Sequence, residues 1–185
     1  MTAALRITWL SPGDPAQRTG GYLWNARIVR ELREQGHEVD VVPVQGEWPV
    51  PGLADPAPLR AVPDGALVVA DGLLWPGLGE HGARLARRAR VAVVVHAVLS
   101  SETGAANPEL LGVLERDALR RVALRVATSG TTAAALGPML PAVTVVPGTD
   151  PAAPAAGGDG RTLLTVATLT RRKGHDRLLD ALARV

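Results

Sequence analysis

The sequence predicts an α/β protein, a Rossmann-like parallel sheet with helices on both faces, followed by an incomplete second domain. Short apolar runs alternate with longer amphipathic segments, which is the pattern of repeated strand–helix–strand units. The aromatic share is 3% with no Phe, so the core must be built from Val, Leu and Ala, which suits closely packed α/β layers. Hydrophobic residues make up 46% and charged residues 21%, as in a globular chain.

Six apolar runs predict the strands in order. We expect strands at 5–10, 37–44, 66–70, 91–95, 124–128 and 143–146. The run 91–95 is the most apolar and predicts a central strand buried on both faces. We expect helices at 22–35, 77–88 and 108–121, and Ser129 or Thr131 can cap a further one. The segment 46–65 is rich in Pro and Gly, which predicts an irregular connection.

The tract 151–160 consists mainly of Ala, Gly and Pro and predicts a linker after a first domain at 1–150. The remainder, 161–185, predicts one strand at 162–167 and one helix at 173–184. A single strand and helix cannot bury their own apolar faces. We therefore expect a second domain that is truncated here, and self-association through 161–185 stays open.

Composition excludes several classes of function. The net charge is +2, with acidic and basic residues nearly balanced, which favours a solvated surface over one that binds nucleic acid. The chain has no Cys, which excludes disulfides and thiolate chemistry, and its four His have no paired spacing that predicts a metal site. The N-terminus lacks the pattern of a signal peptide, so we expect a cytoplasmic protein; a peripheral membrane contact stays open.

Gly20 and Gly21 lie between the first strand and the first helix. Paired glycines there let the backbone approach an anionic ligand, or they serve a tight turn that needs positive φ. Both interpretations are open. The loop at 11–21 that ends in this pair matches neither the dinucleotide fingerprint G-x-G-x-x-G nor the Walker A pattern, which disfavours an NAD-binding domain and a P-loop NTPase.

Polar residues follow two predicted strands at the edge where open α/β sheets bind ligands. His96 follows the most apolar strand and can orient a sugar hydroxyl or act as an acid or base; alternatively, it is a hydrogen-bonded edge histidine. Asp71 ends the third strand and is either a site residue or the cap of a turn. Further along, Arg171, Arg172 and Lys173 precede a helix, which suits a diphosphate or a solvated surface.

The chain resembles glycosyltransferase family 4, the retaining enzymes of GT-B fold. Four segments carry the resemblance: Gly20-Gly21, the 31–39 segment that resembles L-x-x-x-G-H-E-V, the 145–150 segment that resembles P-N-G-V-D, and the 172–176 segment. Gly148 replaces the Asn of that third pattern. The resemblance implies two Rossmann-like domains, of which the first binds the acceptor and the second binds the nucleotide-sugar.

The resemblance also implies roles for individual residues. Gly20 and Gly21 approach the donor diphosphate, His96 lies beside the transferred sugar as the catalytic residue, and Lys173 with Arg172 contacts the diphosphate without a metal or other cofactor. Asp71 and Ser129 are acceptor-side candidates, and the acceptor loops are 46–65 and 97–107. The family's usual G-R-L is Ala167-Thr168-Leu169 here, so Arg171 or Arg172 substitutes or donor binding is weaker.

The expected activity is transfer of a sugar, with retention, from a nucleotide-sugar to an unknown acceptor. The family's acidic pair and most of its base and ribose contacts lie downstream of residue 185, so we expect the chain to be inactive by itself. Two alternatives stay open: a sugar-nucleotide epimerase of the same fold, which needs catalytic carboxylates in the first domain, and a non-catalytic acceptor-binding module.

Overall fold

A computed structural model describes residues 3–50, 52, 54–101 and 107–184. The chain divides into two units, Met1–Pro147 and Gly148–Val185. The first unit contains the sheet and the hydrophobic core, and the second contains an extended segment and a short helix.

The first unit is built on a six-stranded sheet. Its strands, numbered along the chain, are β1 (Arg6–Pro12), β2 (Glu38–Val44), β3 (Leu67–Asp71), β4 (Arg90–Val95), β5 (Leu124–Ala127) and β6 (Val143–Thr144). They pair in the order β2-β1-β3-β4-β5-β6, and every pair is parallel. The predicted α/β class with a parallel sheet is therefore confirmed.

Five helices of this unit connect the strands: α1 (Gly20–Glu34), α2 (Ala57–Arg60), α3 (Gly79–Arg88), α4 (Pro108–Arg120) and α5 (Gly130–Leu136). The short helix α2 corrects the expectation that 46–65 is irregular throughout; it begins where the Asp55 carboxylate accepts the Ala57 amide hydrogen. No helix among the described residues is long and apolar enough to cross a membrane.

Helices cover both faces of the sheet because successive side chains of a strand point to opposite sides. On one face, Leu10 and Val93 pack in a large cluster to which α2, α3, α4 and α5 contribute Leu59, Leu85, Leu119 and Leu136. On the other face, Trp9 and Val94 pack with Val29 of α1. Strand β4 has buried residues on both faces, as its uninterrupted apolar run predicts.

The second unit forms no core among its described residues. The strand predicted at 162–167 is not formed, because this extended segment has no neighbouring strand to pair with its backbone groups. A 3₁₀ turn at Arg171–Lys173 precedes helix α6 (His175–Leu182). No described residue of this unit is buried, and four apolar side chains are 70–91% exposed: Leu163, Leu164, Val166 and Leu169.

Candidate functional site

The strand order places a candidate site where the connections of the sheet diverge. Strands β1 and β3 are neighbours, β2 lies beyond β1, and the later strands follow on the other side of β3. Ligands of open α/β sheets bind outside the carboxyl ends of the strands at such a point. Asp71 is the last residue of β3 and His96 directly follows β4, so both lie at this edge, beside the start of α1.

Gly20 and Gly21 form the first turn of α1, and neither has a positive φ. The interpretation of this pair as a tight turn is therefore wrong. A Cβ added to Gly21 would lie 3.3 Å from Cδ2 and 3.5 Å from Cγ of His96. A Cβ added to Gly20 would meet nothing within 4 Å. Because Gly21 has no side chain, the backbone of α1 can lie against the imidazole. Gly20 leaves open space beside the first residue of the helix.

Asn25 connects His96 to Asp71. This side chain is buried in the second turn of α1. Its Nδ2 donates to Asp71 Oδ2 at 2.7 Å, and its Oδ1 lies 3.0 Å from His96 Nε2. The same Asp71 oxygen is 3.6 Å from His96 Nε2. Three residues from three different elements therefore form one compact polar cluster.

Asp71 is 4% exposed, and its second oxygen also has a partner. Oδ1 accepts the Leu73 amide hydrogen at 2.8 Å, so the interpretation of Asp71 as a turn cap is confirmed. The turn lies tightly against β4: Gly72 N donates to Val94 O at 2.7 Å, and a Cβ on Gly72 would lie 2.8 Å from that oxygen. Glycine at 72 thus permits the approach that brings Asp71 near His96.

His96 has contacts both at its imidazole ring and at its backbone carbonyl. Trp24 contacts the ring edge-on, with centroids 5.4 Å apart and planes at 82°. The His96 carbonyl accepts hydrogen bonds from Thr128 Oγ1 and Thr132 Oγ1, both at 3.4 Å. Burial lowers the pKa of His96, while the charge of Asp71 opposes this shift. The neutral imidazole is thus the form favoured at neutral pH.

Glu115 of α4 anchors the segment that follows His96. Its carboxylate is buried, and both oxygens accept the Leu99 amide hydrogen, at 3.3 and 3.1 Å. Burial raises the pKa of Glu115 to about 7, against the opposing effects of the Leu99 hydrogen bond and of Arg116. The expected acceptor loop 97–107 therefore begins on a buried anchor; its residues 102–106, and residues 51 and 53 of the other expected acceptor loop, lie outside the described part of the chain.

A cleft of about 310 Å³ lies beside this cluster and shares Asn25 with it. Tyr22 lines the cleft, and its hydroxyl donates to the Pro12 carbonyl. Burial raises the pKa of Tyr22, and the charges of Asp71 and Asp14 raise it further. Tyr22 therefore stays a neutral hydrogen-bonding group. The other lining residues are Trp9, Ser11, Pro15, Ala26, Val29, Arg30, Arg33 and Val41.

The N-terminus of α1 differs from those of α4 and α5. Thr19 precedes α1 without a capping side-chain hydrogen bond, and the first turn holds no acidic residue. In contrast, Asn107 caps α4, and Ser129 caps α5 by accepting the Thr132 amide hydrogen at 3.0 Å. The prediction that Ser129 caps a helix is confirmed. Its hydroxyl also donates to Thr132 Oγ1, so its role toward an acceptor stays a prediction.

The predicted cations lie in the second unit. Lys173 ends the 3₁₀ turn instead of beginning a helix, because Gly174 adopts the left-handed conformation with φ 66° and α6 starts only at His175. Lys173 is exposed, and its side chain makes no hydrogen bond or ion pair with the described residues. The Arg172 side chain lies outside the described part of the chain. Asp176 already supplies an acidic group to the first turn of α6.

The sequence interpretation missed Asn25 and Glu115. Both lie on the buried stripe of their helices, Asn25 four residues before Val29 and Glu115 four residues before Leu119. A polar residue at an apolar helical position needs a partner when it is buried. That conflict between residue type and position was the available signal, although it does not identify the partner.

The comparisons with known proteins assign no family to this site: no protein-family model matches the chain, and no curated protein matches it. Among the described residues, no group of three or more His, Cys, Asp or Glu side chains could hold a metal ion. The candidate site is therefore defined by the cluster of Gly21, Asn25, Asp71 and His96.

Proposed function

We propose that the Met1–Pro147 unit is the acceptor-side domain of a retaining glycosyltransferase that uses a nucleotide-sugar donor, as the resemblance to family 4 implies. One observation carries the proposal. A half-buried histidine at the carboxyl edge of a parallel sheet, whose pKa burial lowers, lies against a glycine in the first turn of an uncapped helix. This pairs a group suited to sugar hydroxyls with a helix N-terminus suited to a diphosphate.

The start of α1 supplies the anion-binding part of the proposal. The first N–H groups of a helix lack intrahelical partners and carry partial positive charge. Here no side chain caps them, and Gly20 has open space where a Cβ would stand. A phosphate oxygen can therefore approach the backbone closely. As the bond between the sugar and the diphosphate breaks, these N–H groups stabilise the charge that develops on the leaving group.

His96 supplies the sugar-binding part. Its neutral imidazole can exchange hydrogen bonds with a hydroxyl group of the transferred sugar, and its surroundings keep the ring orientation constant. The contacts of Arg172 and Lys173 with a diphosphate stay a prediction of the resemblance, and the proposed site of the first unit uses backbone N–H groups without a metal ion.

The epimerase alternative gains no support from this cluster. It needs a carboxylate in the first domain that is free to act on the substrate. Asp71 at this edge is buried, and its two oxygens accept hydrogen bonds from Asn25 and Leu73. Asp14, which follows β1, is exposed and accepts the Ala16 amide hydrogen. Asp71 therefore orients its neighbours in the structure, and its role toward an acceptor stays a prediction.

A binding experiment on the whole chain tests the proposal. The ¹⁵N-labelled protein is titrated with UDP-glucose, UDP-N-acetylglucosamine, GDP-mannose and the free nucleoside diphosphates, at millimolar concentrations. We expect shifts at the amides of Gly20 and Gly21 with the diphosphates, and an added shift at His96 with at least one nucleotide-sugar. If every ligand leaves these three amides unchanged, the proposal is wrong.

Two matched glycine variants make the test specific. Gly20→Asp places a negative charge in the first turn of α1 and should abolish the shifts, because the carboxylate competes with the diphosphate. Gly130→Asp makes the same change at the first turn of α5 and should leave binding intact. Both positions have space for a side chain and no positive φ. Equal loss of binding in both variants would contradict the assignment of the site to α1.

A further inference from the structure

The polar cluster at the sheet edge forms a chain of hydrogen bonds whose direction can be determined. At one end, the Leu73 amide donates to Asp71 Oδ1. The other oxygen of Asp71 faces Asn25, which in turn faces His96. Each contact requires one donor and one acceptor, so the chemistry of one end restricts the other.

The carboxylate of Asp71 sets that direction. An ionised carboxylate only accepts hydrogen bonds, so the amide nitrogen of Asn25 must face it. The carboxamide oxygen of Asn25 then faces His96 Nε2, at 3.0 Å. A carboxamide oxygen only accepts, so Nε2 must carry the hydrogen. The neutral ring has one N–H group, which leaves Nδ1 with a lone pair.

We propose that Asn25 and Asp71 are positioning residues that fix His96 as the Nε2–H tautomer, so that its Nδ1 accepts a hydrogen bond from a hydroxyl group of the ligand. This inference rests on the proposed function, because it names the kind of group that the same site binds. It goes beyond that function in assigning the tautomer and the two residues that impose it.

The surroundings of the ring agree with this assignment. Nδ1 has no hydrogen-bond partner among the described residues, and the His96 side chain is 23% exposed, so the atom is available to a ligand. Gly21 lies against Cδ2 and Cγ, and Trp24 contacts the ring edge-on, which opposes rotation of the ring about the Cβ–Cγ bond. Burial favours the neutral form, in which the two nitrogens differ.

The ligand chemistry follows from the lone pair. A sugar hydroxyl can donate to Nδ1, whereas the oxygens of a phosphate or a carboxylate cannot. The proposed site therefore separates two functions: the N–H groups of α1 take the anionic part of the ligand, and Nδ1 takes a hydroxyl. A nucleotide-sugar contains both kinds of group.

The tautomer can be measured by long-range ¹H–¹⁵N correlation of the histidine rings in the whole chain at pH 7.5. We expect the Nε2–H pattern for His96 in the wild-type protein. Asp71→Asn should change the majority form to Nδ1–H. In Asp71→Asn, the new carboxamide oxygen accepts the Leu73 amide hydrogen, so its NH₂ group faces Asn25 and donates to the Asn25 oxygen. The Asn25 carboxamide must then rotate by about 180°, and its NH₂ group donates to His96 Nε2.

Two other histidines of the chain and one matched variant serve as controls for Asp71→Asn. His37 accepts the Leu5 amide hydrogen at Nδ1, and His175 Nε2 lies 3.0 Å from the Thr168 carbonyl, so both should keep the Nε2–H form throughout. Asp117→Asn makes the same substitution at an exposed residue paired with Arg121 and should leave His96 unchanged. An Nδ1–H pattern in the wild type, or an unchanged His96 in folded Asp71→Asn, would overturn the proposal.

A second variant covers the case in which Asp71→Asn does not fold. Asn25→Leu retains the approximate size of the side chain but removes both hydrogen bonds. His96 Nε2 then faces only the Asp71 oxygen, at 3.6 Å and beyond hydrogen-bond distance, so an Nδ1–H fraction should appear beside the Nε2–H form. Retention of the pure Nε2–H pattern in that variant would show that Asn25 does not determine the tautomer, and the proposal would fail.

The ligand part is tested in the titrations with UDP-glucose and GDP-mannose. If either compound shifts the Gly20 and Gly21 amides, the Nδ1 ¹⁵N resonance should move in the direction of an accepted hydrogen bond. Binding without that movement overturns the hydroxyl contact at Nδ1, while the diphosphate site at the start of α1 stands. If no compound binds, the proposed function fails, while the tautomer spectra of the free protein still decide the roles of Asn25 and Asp71.

Discussion

The His96 cluster and the Arg171–Lys173 turn are the two regions that the resemblance assigns to a nucleotide-sugar, and the side chains in them have contrasting surroundings. Around His96, Asn25 and Asp71 are buried, and their side-chain polar atoms and His96 Nε2 all have partners, which leaves His96 Nδ1 for a ligand. At the turn, Lys173 is exposed, and its side chain makes no hydrogen bond or ion pair with the residues that the structure describes.

This difference has a physical consequence for each region. A buried polar network with satisfied hydrogen bonds has one favoured geometry, because any change leaves a polar group unpaired. The His96 cluster is therefore preorganised before a ligand binds. An exposed cation has many rotamers of similar energy and loses that freedom only when it binds an anion. Substitutions should accordingly affect stability in the first region and binding in the second.

The largest expected effect on the free energy of unfolding is that of Glu115, and it depends on pH. Its pKa is raised from 4.5 to about 7, so its contribution to stability is complete below pH 4.5 and is lost as the pH rises through 7. The loss is on the order of 3 kcal/mol. We expect Glu115→Gln to remove this decline, as measured by urea unfolding between pH 4.5 and 8. Glu109→Gln, on the same helix, should retain it; an equal decline in Glu115→Gln would refute the assignment.

Gly72→Ala tests the tight turn that brings Asp71 near His96. The added Cβ would lie 2.8 Å from Val94 O, an atom of the central strand that cannot easily move. We expect a loss of about 2 to 3 kcal/mol in the free energy of unfolding. Gly130→Ala meets no neighbour within 4 Å and should change stability little. Similar values for the two variants would show that the turn is not constrained by β4.

His96 should change the free energy of unfolding by less than Glu115 does, and with the opposite dependence on pH. Burial lowers its pKa, so its contribution to stability is present above its ordinary value of 6.5 and is lost as the pH falls below that value. An NMR titration should show a midpoint for His96 below 6.5. A midpoint above 6.5 would mean that the attraction of Asp71 exceeds the effect of burial.

Lys173→Ala should have the smallest effect on stability, within about 0.5 kcal/mol, because an exposed side chain without partners is removed. Arg88→Ala is the contrasting cation: Arg88 donates to the carbonyls of Leu59 and Val62 and pairs with Asp64, so its loss should cost about 1 to 3 kcal/mol. Thermal unfolding of both variants checks the pair. A marked loss in Lys173→Ala would show that the turn is held by contacts within the protein.

Local patterns of the sequence predicted the elements of the first unit well. The six apolar runs all became strands, and the helices at 22–35 and 108–121 match α1 and α4 within two residues at each end. The predictions for the second unit were wrong where an element depends on a neighbouring strand or on the conformation of one residue. The 162–167 segment has the composition of a strand but no neighbour to pair with, and α6 starts late because Gly174 adopts a left-handed conformation.

The sequence by itself determined the parallel α/β sheet and the polar residues at its carboxyl edge, because periodicity, turn residues and strand ends are local properties of the chain. Only the tertiary structure decided that Asn25 connects Asp71 and His96. These contacts join residues 46 and 71 positions apart, and they exist because β3 pairs with β1 and α1 packs on the sheet face that holds Trp9 and Val94. Strand order arises from packing of the whole sheet, so no local pattern encodes the partner of a buried polar residue.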